Sequence, residues 1–207
     1  MIDTIEQRQQ SILGQPPRIL PKHSAEIIKA AQEHTAKLRG GSAQSTAPVA
    51  IADIPEMVVT LLGCDADLYE RMAAVSVQLL AKSTLPKRDF ELVVLRTDWL
   101  CQSPYNWGEH VRIAKKFGIT SAEIESITQG STAANWSEHE RALLKAAEEL
   151  HEDAMLSDAT WSVLAKTFSE KQLFELIVLI GQFTLVTYVQ NSLRLRLSTG
   201  NEGLSAR

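Results

Sequence analysis

The apolar and polar positions of this chain follow a helical pattern. Apolar residues recur at three- and four-residue spacing, and no run alternates with the period of two that a half-buried strand requires. Helix start signals punctuate that pattern. Ser24 suits the N-cap of a helix over 25–38, and Asp65 or Asp67 that of a helix ending near Lys82. Pro86 suits the first turn of a helix running to about Gln102. Ser103 and Pro104 repeat the device as N-cap and first helical residue, and Gly118 follows Phe117 at the C′ position. Three pairs, Thr120 with Glu123, Ser137 with Glu140 and Ser169 with Gln172, have the spacing of capping boxes. The expected fold class is all-α.

The ends of the chain are less regular. Residues 1–49 read as an N-terminal arm, a helix and a Gly/Ser/Ala linker over 40–48; 50–197 read as the helical domain and 198–207 as a flexible tail. The most apolar stretch, 173–189, is interrupted by Glu175, Gly181 and Gln182. A carboxylate in lipid costs roughly 2.5–3.5 kcal/mol on insertion scales. A core helix or subunit interface is therefore expected, and no membrane span.

An internal repeat accompanies this pattern. Residues 80–95 align without gaps on 164–179, with nine identities in sixteen positions, among them Phe90-Glu91-Leu92 on Phe174-Glu175-Leu176. Both segments read as a helix end, a short break and an apolar helix with one early glutamate. Apolar helices resemble one another, but a duplicated helical hairpin explains the match more fully.

Composition then narrows the function classes. The net charge of −4 and pI of about 5.8 give no basic face for nucleic acid. The N-terminus has no apolar segment of a secretory signal, and the two cysteines, Cys64 and Cys101, form no CxxC. The five histidines are scattered. No metal site built from local sequence is expected, and a cytoplasmic location is.

Candidate chemistry lies between residues 91 and 110. Glu91 sits in an apolar run, where a carboxylate loses hydration and becomes a candidate acid or base unless a buried cation pairs with it. Its repeat partner Glu175 has no histidine following it. His110 shares a helix face with Asn106 and Trp107, with Ser103 at the mouth of that face. Histidine suits proton transfer near neutral pH, although a lone helical histidine is also a common structural residue. Ser103 reads as a cap, and Cys101 as a small buried hydrophobe or a lone redox-sensitive thiol. Arg96 interrupts its own apolar run, either in an ion pair, for instance with Asp98, or as an anchor for a substrate carboxylate. Trp99 shares its face, while Glu91 lies about 140° round the helix. Tyr105 and Trp107 are pocket walls or plain packing.

The stretch from Cys101 to Ile124 resembles the carboxymuconolactone decarboxylase-like family, which also contains alkylhydroperoxidase D proteins. The recurring elements are an aromatic residue, Trp107-x-x-His110, Ala114 and Gly118-Ile-Thr-x-x-Glu123-Ile. Glu91 and Arg96 upstream and the segment from Trp136 downstream fit as well, and the resemblance covers roughly 50–197. It implies a duplicated-hairpin helical fold and a trimer or hexamer. In the peroxidase branch it puts two thiols where this chain has Ser103 and Asn106, and a relay glutamate at Glu91. Without those thiols, disulfide-based peroxide reduction is not expected. In the decarboxylase branch it implies chemistry without a metal or organic cofactor, with His110 as proton-transfer group and Glu91 as its partner. Arg96, or a basic residue of another subunit, would anchor a small carboxylated or lactone-like substrate, with Ser103, Asn106, Tyr105, Trp107, Trp99 and Cys101 about the pocket. A catalytically silent ligand-binding or assembly relative is the alternative.

Overall fold

The computed structural model describes residues 4–38 and 49–207, so the expected linker over 40–48 lies outside the described residues. Among these, ten α-helices and two short 3-10 turns account for the regular structure, and there is no strand. In chain order the helices are α1 (Ile5–Leu13), α2 (Ala25–Leu38), α3 (Glu56–Cys64), α4 (Ala66–Lys82) and α5 (Lys87–Leu100). They continue with α6 (Pro104–Lys116), α7 (Ser121–Gln129), α8 (Glu138–Glu152), α9 (Asp158–Leu164) and α10 (Glu170–Leu193).

Most of the cap chemistry falls where the side-chain pattern places it. The hydroxyls of Thr120, Ser137 and Ser169 each accept from the backbone N–H three residues on, and Glu123, Glu140 and Gln172 reach back to close the boxes. Ser103 caps α6 with Pro104 in its first turn, Asp65 caps α4, and the Ser24 hydroxyl accepts from Ile27 N. Gly118, at φ +81°, takes the left-handed backbone that ends α6. Pro86 sits one position earlier than expected, at the cap of α5 itself.

α5 is the central helix. All ten residues from Asp89 to Asp98 are buried, because α6, α7, α8 and α10 surround it. Its Phe90, Val93 and Val94 face a core shared with Leu143, Ala146, Leu176 and Leu179. Leu92 and Leu95 face a second core built on Trp107, Ile124, Ile127 and Trp136. A third core joins α2, α3 and α4 through Ala31, Val58, Leu62, Tyr69 and Ala73.

The two repeat segments share the helix–break–helix plan but differ in burial. Phe90 is 1% exposed and its counterpart Phe174 is 68% exposed. α10 is long and apolar enough to cross a membrane by length and composition alone. It packs instead on α4, α5 and α6, with Leu173, Leu176, Leu179 and Phe183 in the core.

Two boundaries need correction. The helix expected in a separate arm, α2, packs on α3 and α4, so residue 49 does not divide it from the helical body. Residues 198–207, expected as a flexible tail, are docked on α6. Leu204 and Ala206 are buried beside Trp107, whose indole N–H donates to the Ala206 carbonyl at 3.0 Å. The Arg207 guanidinium lies over the rings of Trp99 and Trp107. A ten-residue segment with a single large apolar side chain shows no periodicity, so this docking has no signature in the pattern. Leu204→Ala is expected to cost about 2–5 kcal/mol, the range for a buried leucine. Urea unfolding of the two proteins measures it.

Candidate active site

Glu91 and Asp98 lie seven residues apart on one face of α5, opposite Asn106 and His110 on α6. The His110 Nδ1 and a Glu91 carboxylate oxygen are 2.8 Å apart, and both side chains are almost completely buried. Phe183 of α10 packs edge-on against the imidazole, with centroids 4.9 Å apart. Burial lowers an imidazole pKa, but here the charge and hydrogen bond of Glu91, helped by Asp98, more than reverse this. His110 is held above its ordinary value.

His110 and Asn106 line a cavity of about 130 Å³ where α2, α3, α4, α6 and α10 meet. Its walls are mainly apolar, with Leu61, Met72, Phe183 and Val186 among them. Its remaining polar lining comes from His34, Tyr69, Ser76 and Gln190. Burial, and then the neighbouring Tyr105, push the Tyr69 phenol up, so it stays protonated.

At the cavity wall the two positions at which the resemblance puts thiols are tied into an amide cluster. Ser103 Oγ donates to Gln190 Oε1 at 3.3 Å, and Gln190 Nε2 donates to Asn106 Oδ1 at 2.8 Å. Ser103 thus supports the wall and does not face the cavity.

Five expected pocket residues lie elsewhere. Arg96 turns away from His110 toward α7 and α8, as the helical angle between Arg96 and Glu91 allows. Its guanidinium bonds Glu148 at 2.9–3.0 Å and the carbonyls of Ile127 and Thr128 at 3.0 and 3.1 Å. Its partner is Glu148 and not Asp98, and a cation spent on that carboxylate is no substrate anchor. Gly130, at φ +87°, makes room for this pair, since a Cβ there would overlap it. Trp99 and Trp107 pack against each other at 4.8 Å beneath the C-terminal segment. Tyr105 is buried beside that segment, its carbonyl accepting from Asn201. Cys101 ends α5 with its Sγ 3.9 Å from His151 Nδ1. Burial, with the nearby Asp98, pushes its thiol up to about 11, so it carries little thiolate near neutral pH. Glu175 is structural: it accepts from the Ser83 hydroxyl and from both the N–H and the hydroxyl of Thr84, bracing the break before α5.

The sequence reading missed Asp98, His34, Tyr69 and Gln190. Asp98 had a signal, a second carboxylate on the Glu91 face. Gln190 had a weaker one, an amide late in an apolar helix. Asp98 is 0% exposed, and neither oxygen has a hydrogen-bond partner, the Asn106 amide lying near but outside bonding geometry. Burial pushes it up to about 8, with His110 and Asn106 pulling the other way. An unfolded aspartate titrates near about 4. Between these values the folded protein holds a proton that the unfolded chain releases, so this group erodes stability as pH rises through that window. Asp98→Asn is expected to gain up to about 5 kcal/mol at pH 8 and far less near pH 4. Thermal unfolding at both pH values checks the difference, and an equal gain at each would contradict it. Among the described residues, no three His, Cys, Asp or Glu side chains group as a metal site.

An all-helical body with a buried Glu–His pair at the wall of a small apolar cavity defines the class of protein. Residues 66–149 match the model of the carboxymuconolactone decarboxylase family, and the fold is AhpD-like. No curated protein matches the chain in sequence. Among solved structures, a protein of unknown function from Agrobacterium tumefaciens, described as a putative antioxidant defence protein AhpD, superposes with a TM-score of 0.60. It is 19% identical, over 67% of this chain and 96% of that one. An uncharacterized peroxidase-related protein from Ralstonia eutropha JMP134 with an alkylhydroperoxidase AhpD core gives 0.61 at 17% identity, over 70% and 78%. A variant of the debrominase Bmp8 in complex with 2,3,4-tribromopyrrole gives 0.65 at 14% identity, over 89% and 93%. At these identities the likeness is one of fold.

Proposed function

We propose that this protein is an acid–base catalyst of lyase type, needing no metal or organic cofactor, that moves a proton on a small lactone-like molecule in the central cavity. The observation that carries this reading is the 2.8 Å Glu91–His110 contact at a wall of that cavity. Glu91 fixes the imidazole through Nδ1, which leaves Nε2 as the nitrogen for exchange with a substrate carbon or oxygen. His110 is then the proton-transfer group and Glu91 a positioning residue. The carboxylated form of the substrate loses support, because Arg96 is committed to Glu148. A ring-shaped ligand in the debrominase neighbour supports a small-molecule site of this kind.

Thiol peroxidase chemistry is disfavoured: Ser103 and Asn106 bear no sulfur, and the Cys101 thiol is held protonated. The test is a screen of small lactones and cyclic carbonyl compounds for deuterium uptake in D2O, wild type against His110→Gln. Uptake by wild type alone supports the reading; no uptake by either leaves the binding-only relative in its place.

Self-association in a cytoplasmic setting, without nucleic acid or membrane, belongs to the same proposal. Phe174, Ile177, Leu185 and Tyr188 form an exposed apolar stripe at helical spacing on α10, which suits a second copy of the chain.

A further inference from the structure

The cavity has one property that the proposed chemistry does not require. Among the described residues that line it there is no lysine, arginine, aspartate or glutamate. The polar lining is a phenol, a hydroxyl, two amides and two imidazoles. The imidazole of His110 carries its matching charge behind it, on Glu91. An anion entering here meets a pair that is already neutral as a whole. Burying an unpaired carboxylate costs several kcal/mol or more, whereas an uncharged polar atom needs only one hydrogen bond. Size adds a second limit. A cavity of about 150 Å³ lined by aliphatic and aromatic side chains takes up one benzene, and this one measures about 130 Å³.

We infer that the cavity selects an uncharged ring molecule of about one six-membered ring, bearing a hydroxyl or carbonyl oxygen, and discriminates against carboxylates of the same size. The inference rests on the proposed function only for the location of the site. It is a statement about binding and stands apart from turnover.

Phenol and benzoate form the test pair, since they share a ring and differ in charge at neutral pH. Ligand-observed NMR titration of the full chain at pH 7 is expected to show saturable phenol binding at least about 10-fold tighter than benzoate. That ratio equals about 1.4 kcal/mol, a modest part of the cost of a buried charge. Ala73 lines the cavity from α4, and Ala73→Leu is expected to weaken phenol binding by about 10-fold or more with an unchanged circular dichroism spectrum. Should that variant unfold, Val186→Phe fills the same space from α10. Phenol binding that is not saturable, that survives cavity filling, or that is matched by benzoate overturns the inference. Saturable phenol binding in a protein that catalyses no proton exchange overturns only the functional reading.

Discussion

Replacing His110 with glutamine is expected to reduce catalysed proton exchange by about 10²–10⁴-fold while the fold stays intact, the range for losing a general acid–base group. Glutamine fills similar space and keeps an N–H to offer Glu91, so little packing is disturbed. What it removes is a nitrogen that can take up and release a proton near neutral pH. Glu91→Gln is expected to fall less far, because it leaves the imidazole present but removes the carboxylate that holds its pKa up. Deuterium uptake by any substrate found in the screen, measured for wild type and both variants, gives this ordering. Equal losses from the two substitutions would mean that Glu91 does more than position its partner.

The second large effect concerns stability. Glu148→Ala is expected to destabilise the protein by about 3–5 kcal/mol, since it leaves Arg96 buried without its counter-charge. The carboxylate also accepts from Ser131 N at 2.8 Å and from Ser131 Oγ at 2.6 Å, so the substitution strips the loop after α7 of its anchor. Both charged side chains are only about a tenth exposed, so water screens the pair weakly. Chemical denaturation of wild type and variant measures the loss. Arg96→Leu together with Glu148→Leu is expected to recover part of it, because an apolar pair carries no unpaired charge.

Short-range chemistry made much of this fold legible in the chain. A capping box is settled by residues three apart, so Thr120, Ser137 and Ser169 marked their helix starts, and Ser103 did so with Pro104. Long-range choices were not legible. Helical geometry put Arg96 and Glu91 on different faces, but its partner Glu148 lies 52 residues away and no local spacing singles it out. The docking of residues 198–207 depends on the indole N–H of Trp107 meeting a carbonyl 99 positions later. The candidate site divides the same way. Glu91 and His110 stood out through an apolar context and a family resemblance, whereas His34 and Tyr69 reach the cavity only because α2 and α4 fold over it. Tyr105, Trp107 and Trp99 were drawn toward the pocket by proximity along the chain, yet they face the C-terminal segment.

The central claim, that Glu91 holds His110 as a proton carrier at the cavity wall, is tested most directly by ¹⁵N NMR of the His110 ring across pH. Nδ1 is expected to stay protonated against Glu91, and the ring to titrate above about 6.5, the ordinary histidine value. In Glu91→Gln, burial is left to dominate and the titration is expected to move below that value. A His110 that titrates at or below the ordinary value in the wild type, or that is unmoved by Glu91→Gln, would contradict the account.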